Sequence, residues 1–146
     1  FWQFSGHGTQ QESRSQNEAD GMDEALCPTD YSSAGLIIDD EIFDLAVMPL
    51  QSGVKLTIIL DCCHSGTAVD LPFIWHESGG WEEVGGTVYT AGDVQMFSGC
   101  EDDQCSMDVS VQGRAAGAMT SCMTRAIREN PDWNYPDLLV RLHEIL

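Results

Sequence analysis

Apolar residues along this chain gather in short runs that break off abruptly into glycine, cysteine, histidine or acid. The sharpest run is Val54-Lys55-Leu56-Thr57-Ile58-Ile59-Leu60, which stops at Asp61-Cys62-Cys63-His64-Ser65-Gly66. Mostly apolar and without alternation, it reads as a strand buried on both faces, which implies a parallel sheet with helices on each side. Residues 1–4 are aromatic and strand-like and break into Ser5-Gly6-His7-Gly8-Thr9-Gln10, and Val94-Gln95-Met96-Phe97 breaks into Ser98-Gly99-Cys100. In open sheets of this kind, sites form beyond the carboxyl ends of the strands, where these breaks lie.

Between the runs the pattern predicts loops and helices. Residues 11–24 are polar without a period and read as a long loop, and 26–31 as a short extended piece. Leu36-Ile37-Ile38 leads into Asp39-Asp40, either of which can cap a helix over residues 40–48 with Ile42, Leu45 and Ala46 inward and Pro49 at its end. A cap needs one acid, so the second has no helical task. Residues 75–92 mix Gly, Glu and Trp and read as an exposed connection, and the acids at 101–104 as another loop. A helix over 115–128 carries a core stripe of Met119, Cys122, Met123, Ala126 and Ile127. Asn134 caps a last helix with Pro136 near its start and Leu138, Leu139, Leu142 and Ile145 inward. This order fits a three-layer α/β domain.

Composition narrows the partners. At 146 residues the chain suits one domain, and 42% apolar content argues against disorder despite a net charge of -18. Ten of the acids fall between Glu12 and Asp44. Such density repels nucleic acid and anionic membranes and suits divalent cations or cationic substrates, although a solvated acidic surface accounts for most of these residues. The six cysteines form no dense framework and no C-x-x-C pair, which favours a reducing, cytoplasmic setting. No segment looks like a signal peptide and no apolar run approaches membrane-spanning length. Phe1-Trp2-Gln3-Phe4 resembles the middle of a strand, so the chain reads as a fragment.

A thiol becomes a useful nucleophile when part of it is thiolate, and a nearby imidazole is the usual cause. His64 adjoins Cys63, but neighbours at a strand end point to opposite sides. His7 sits in an equivalent strand-end break 56 residues before Cys63, and a parallel sheet can bring it across. The glycines beside His7, and Gly66 after the cysteine, leave backbone N–H groups free for an oxyanion. Three rivals fare worse. Contiguous Cys62, Cys63 and His64 cannot all face one tetrahedral zinc ion without strain. Vicinal thiols lack thioredoxin-like spacing, and a thiol phosphatase would want an arginine in the loop after Cys63.

The segments Phe4-Ser5-Gly6-His7-Gly8-Thr9-Gln10 and Leu60-Asp61-Cys62-Cys63-His64-Ser65-Gly66 closely resemble the histidine and cysteine motifs of metacaspases, caspase-like cysteine peptidases of clan CD, and of the type I branch in particular. The likeness extends through Asp23, Cys27-Pro28-Thr29-Asp30-Tyr31, Ile38-Asp39-Asp40-Glu41, Asp70-Leu71-Pro72-Phe73, Ser98-Gly99-Cys100 and Gly117-Ala118-Met119-Thr120. The glutamine and alanine that precede the cysteine in true caspases are absent. Cys105-Ser106-Met107-Asp108 departs from the threonine, serine and alanine that relatives often place before an aspartate.

The resemblance implies a three-layer caspase-like α/β fold with a mostly parallel central sheet, truncated at both ends. Residues 1–146 would form one peptidase domain, p20-like over about 1–90 and p10-like over about 91–146. It implies Cys63 as nucleophile, His7 as general base and later acid, and the backbone N–H groups of Gly8 and Cys63 as oxyanion donors. Asp61 would line a pocket for the arginine or lysine before the scissile bond, with Ser98 and Gly99 lining the cleft. Family members are often calcium-activated, and the four calcium acids fall on Asp23, Asp39, Asp40 and Asp70, which gives the second helix-start acid its task. The expected protein is a monomeric, calcium-activated endopeptidase acting on protein or peptide substrates with basic residues at the cut, without nucleic acid or membrane partners. A catalytically silent caspase-like scaffold and a calcium-dependent binding module are the alternatives.

Overall fold

The computed structural model describes residues 1–13, 21–76, 80–84, 89–99, 108–111 and 114–146. In chain order the elements are β1 (Trp2–Ser5), β2 (His7–Glu12), β3 (Met22–Cys27), α1 (Tyr31–Ala34), β4 (Ile37–Ile38) and α2 (Asp39–Ile42), which runs on as a π-helical turn over Phe43–Val47. After these come β5 (Lys55–Asp61), β6 (Phe73–His76), β7 (Gly80–Glu83), β8 (Asp93–Ser98), β9 (Asp108–Val111), β10 (Arg114–Gly117), α3 (Ala118–Glu129) and α4 (Tyr135–Ile145).

The three apolar runs form one parallel sheet in the order β1-β5-β8. Ser5 pairs with Asp61 and Leu60 with Ser98, so all three strands end along one edge. Strand β5 is buried on both faces, and alternation divides its side chains between two cores. Ile58 and Leu60 join Leu26, Ile42, Val47, Ala68 and Val69 on one side. Ile59 joins Phe97 and the inner faces of α3 and α4 (Met119, Cys122, Met123, Ala126, Leu138 and Leu142) on the other. A sheet between two apolar layers is the α/β arrangement that the run at 54–60 predicts. Among the described residues, no helix is long and apolar enough to cross a membrane.

The structure revises four local expectations. Residues 11–24 are not one loop: β2 reaches Glu12 and β3 begins at Met22, an antiparallel pair with Gln10 opposite Glu24. His7 is therefore the first residue of a strand, with Gly6 alone forming the break from β1. Part of 75–92 also pairs, as the β6–β7 hairpin in which Trp75 meets Trp81 edge-to-face. Residues 115–117 belong to β10 and not to the following helix, and Ile127 on that helix is 48% exposed.

The fourth revision concerns the helix after Ile38. Its N-cap is Ile38, with no side-chain cap, so Asp39 and Asp40 sit inside the first turn. The chain then widens into the π turn, where the Met48 N–H donates to the Phe43 carbonyl five residues back (2.8 Å). One extra residue in the turn rotates the inner face past the positions expected of a regular helix. Val47 becomes fully buried, whereas Leu45 is 81% exposed. Ile42→Ala is accordingly expected to cost about 2–5 kcal/mol in chemical denaturation, and Leu45→Ala less than about 0.5 kcal/mol. A regular helix over 40–48 would make the two costs similar.

Candidate active site

Alternation along β5 decides the direction of each side chain at the strand's end. Asp61 falls on the same side as Ile59, is 3% exposed, and its Oδ2 accepts from the Thr120 N–H at 2.7 Å. That N–H belongs to the first turn of α3, whose open donors and dipole favour a carboxylate. Gly99 and Gly117 make room for it: a Cβ on Gly117 would lie 1.9 Å from the carboxyl carbon. Cys62 falls on the opposite side and is wholly buried. Cys63 is the first residue released from both cores, and it is half-buried.

The turn carrying Cys63 is pinned from below. The fully buried Ser65 hydroxyl donates to the Cys62 carbonyl and lies 2.8 Å from the Ser98 hydroxyl at the end of β8. Ser98 and Gly99 thus border the cysteine turn, and the Gly99 N–H donates to the Leu60 carbonyl. His64 adopts φ 52°, an uncommon left-handed conformation that bends the chain sharply after the cysteine.

Strand β2 comes to this turn because β1 lies beside β5. The Gly6 N–H donates to the Asp61 carbonyl at 3.3 Å, and the chain then enters β2 at His7. Gly8 is packed directly on Cys63: a Cβ there would sit 1.9 Å from the Cys63 carbonyl oxygen and 3.3 Å from the Cys62 sulfur. Only glycine fits. His7 is exposed and shares with Thr9, Cys27, Tyr31 and Leu36 an open depression of about 370 Å³. The fold therefore brings the His7-Gly8 segment and Cys63 into one place, across 56 residues of sequence.

Behind the cysteine turn lies a nest of acids. Carboxylate oxygens of Asp39, Asp40 and Asp70 lie within 4.8 Å of one another. Asp39 is fully buried and accepts from the Glu24 N–H and the Asp40 N–H, both at 2.7 Å. Asp23 is 1% exposed, and its Oδ1 has no hydrogen-bond partner among the described residues. Burial, followed by repulsion from Asp39, Asp40, Glu24 and Asp23, pushes Asp70 up to about 7. Burial and the charges of Asp23 and Asp44 also raise Asp40. Asp70 itself adopts φ 46°. A buried acceptor with nothing to accept from, beside three converging carboxylates, fits a hard divalent cation such as calcium. Asp23 stands slightly apart from the tight group of three but close enough to repel both Asp40 and Asp70.

Two participants escape the sequence patterns. Glu24, 3% exposed, accepts from Gln10 Nε2 (2.9 Å) and Thr67 Oγ1 (3.0 Å). Its sequence signal is slight: a second acid inside the strand-forming stretch 22–27. The other is Ser65, which reads as a small turn residue until its burial is seen. Cys100 and Cys105-Ser106-Met107, along with the acids at 101–103, lie outside the described residues.

This geometry has two measurable consequences. Gly8→Ala is expected to lower stability by about 1–3 kcal/mol and to displace the Cys63 turn, measured by denaturation and by the alkylation rate of Cys63. Asp70 has a folded pKa above its ordinary 3.8, so its contribution to stability is complete below about pH 4 and is lost as pH rises through about 7. In chelator, the thermal midpoint is expected to fall across that window, and Asp70→Asn to flatten the fall. An unchanged slope in Asp70→Asn would show that other groups cause it.

Comparison with known proteins identifies the family. Residues 1–72 match the family model described as metacaspase, peptidase C14 domain. Metacaspase-1 of Arabidopsis thaliana is 42% identical over 143 residues, covering 87% of this chain and 38% of that protein. Metacaspase-2 of Trypanosoma brucei brucei is 38% identical over 162 residues, and Metacaspase-1A of Aspergillus oryzae 35% over 192, each covering 100% of this chain and 46% of the relative. The chain spans less than half the length of these relatives. Matched by these relatives at 35–42% identity over 87% or more of its length, this chain belongs to the metacaspase family.

Proposed function

We propose that the protein is a calcium-activated cysteine endopeptidase that cuts after arginine or lysine. The observation that carries the reading is the seating of Gly8 on the Cys63 carbonyl, which puts an exposed histidine segment beside a half-buried thiol. In this reading Cys63 attacks the scissile carbonyl and His7 takes up the thiol proton. Backbone N–H groups of Gly8 and Cys63 hold the oxyanion. His7 then protonates the leaving amine, and water, with His7 as base, hydrolyses the acyl-enzyme.

The preference for a basic side chain rests on Asp61 and on the net charge of -18, which attracts cationic peptides. Asp61 already accepts from the first turn of α3, so the substrate cation would share a carboxylate whose position is fixed. Ser98 and Gly99 would border the substrate backbone. Asp23, Asp39, Asp40 and Asp70 would hold calcium, whose charge would relieve their mutual repulsion and join β3, the start of α2 and the turn after Cys63. The sites of action would be protein or peptide chains with an accessible basic residue.

Cleavage of short peptides ending in arginine, lysine or aspartate, with and without calcium, tests the reading in the full-length protein. Arginyl and lysyl peptides are expected to be cut only with calcium, and Cys63→Ala to lose about 10⁴-fold or more of the rate. Asp61→Ala is expected to weaken discrimination for basic residues. A Cys63→Ala variant that cuts as well as the parent would refute the nucleophile, and activity independent of calcium would refute the metal assignment.

A further inference from the structure

The buried carboxylate that the catalytic reading does not use is Glu24. It stands where three parts of the site meet. Its Oε1 accepts from Gln10, its cross-strand partner on β2, three residues after His7. Its Oε2 accepts from Thr67, four residues after Cys63. Its backbone N–H donates to Asp39, one of the three converging acids. Thr67 closes the circuit, because its carbonyl accepts from the N–H of Asp70, another of those acids, at 2.8 Å.

From these contacts we infer that Glu24 is a positioning residue that transmits occupation of the acid nest to the catalytic pair, an inference that rests on the calcium reading above. Alternation puts Gly8 and Gln10 on one face of β2, and Leu26 and Glu24 on the matching face of β3. That face packs on the turn after β5: Gly8 meets Cys63 at one end and Glu24 meets Thr67 at the other. The histidine strand is therefore clamped to the cysteine turn at two points. The carboxylate oxygens of Asp39, Asp40 and Asp70 lie within 4.8 Å of one another, so their mutual repulsion without a cation would act on the Asp39–Glu24–Thr67–Asp70 circuit from within. A cation that draws Asp39 and Asp70 together tightens the circuit, and the Glu24 carboxylate carries the change into β2 through Gln10. A solvated acid could not do this, but Glu24 is buried and hydrogen-bonded on both oxygens.

Two substitutions cut the arms without altering charge or the cation-facing acids. Thr67→Val removes the link to the cysteine turn, and Gln10→Met the link to the histidine strand. In the full-length protein, calorimetry measures calcium affinity, and mass spectrometry follows the rate of Cys63 alkylation by iodoacetamide with and without calcium. The parent is expected to bind calcium and to change its Cys63 alkylation rate on binding. Both variants are expected to keep calcium affinity within roughly threefold and to lose most of that change, with a fall of roughly tenfold in kcat and little in KM. Thr67→Ser, which keeps the hydroxyl, is expected to respond as the parent does. If Thr67→Val fails to fold, Gln10→Met decides. A full calcium response in the folded variants overturns the inference and leaves the calcium reading standing. Loss of calcium affinity in step with the response also overturns it, since Glu24 would then only shape the cation site. A parent that binds no calcium overturns both.

Discussion

Strand β5 is buried on both faces, and that burial dictates where everything at its end can go. Alternation commits Ile58, Leu60 and Cys62 to one core and Ile59 and Asp61 to the other. Neither core can release its members without losing apolar contact worth about 1.5–3 kcal/mol for each large side chain. Cys63 is the first residue with no such commitment, at the edge where β1, β5 and β8 all end. The vicinal thiols are consequently unlike: one is a core residue and the other is open to solvent on one side. Parallel pairing of β1 on β5 then delivers His7 and Gly8 to the same edge, without any local sequence signal linking them to the cysteine.

The second constraint is electrostatic. Asp23, Glu24 and Asp39 are buried, with Asp40 and Asp70 against them. Burying carboxylates together is unfavourable unless something neutralises them. Among the described residues, the ion pairs of lysine and arginine lie elsewhere, at Lys55–Asp93 and in the Arg125, Arg141, Glu129 and Glu144 group on α3 and α4. Hydrogen bonds relieve Glu24 and Asp39, whereas Asp23 keeps an oxygen without a donor among the described residues and Asp70 is driven toward its protonated form. In the proposed function a divalent cation would neutralise these acids, and the place of Asp70 in the turn after Cys63 would couple its binding to the cysteine.

Much of this is legible from the sequence where burial alone decides the pattern. The run at 54–60, the stripe through Met119, Cys122, Met123 and Ala126, and the Asn134 cap, whose side chain accepts from the Asp137 N–H, correspond to observed elements. Legibility fails where tertiary contact overrides local preference. Residues 7–10 read as a glycine-bearing break and 11–12 and 22–24 as part of a polar loop, yet they pair as strands. Leu45 belongs inward on a regular helix, but the π turn moves the inner face to Val47. At the site, the histidine, the cysteine and the acids stand out by residue type and motif. Glu24, Ser65 and the contact of Asp61 with α3 depend on register between distant strands, which one sequence does not display.

The proposed mechanism requires that Cys63, rather than Cys62 or Cys27, be the nucleophile presented to a basic substrate. Its most direct test is to treat the full-length protein with an arginyl chloromethyl ketone in calcium and to locate the adduct by mass spectrometry. One adduct is predicted, on Cys63, abolished by Cys63→Ala and suppressed by chelator. An adduct on Cys62 or Cys27, or equal labelling when calcium is removed, would contradict it.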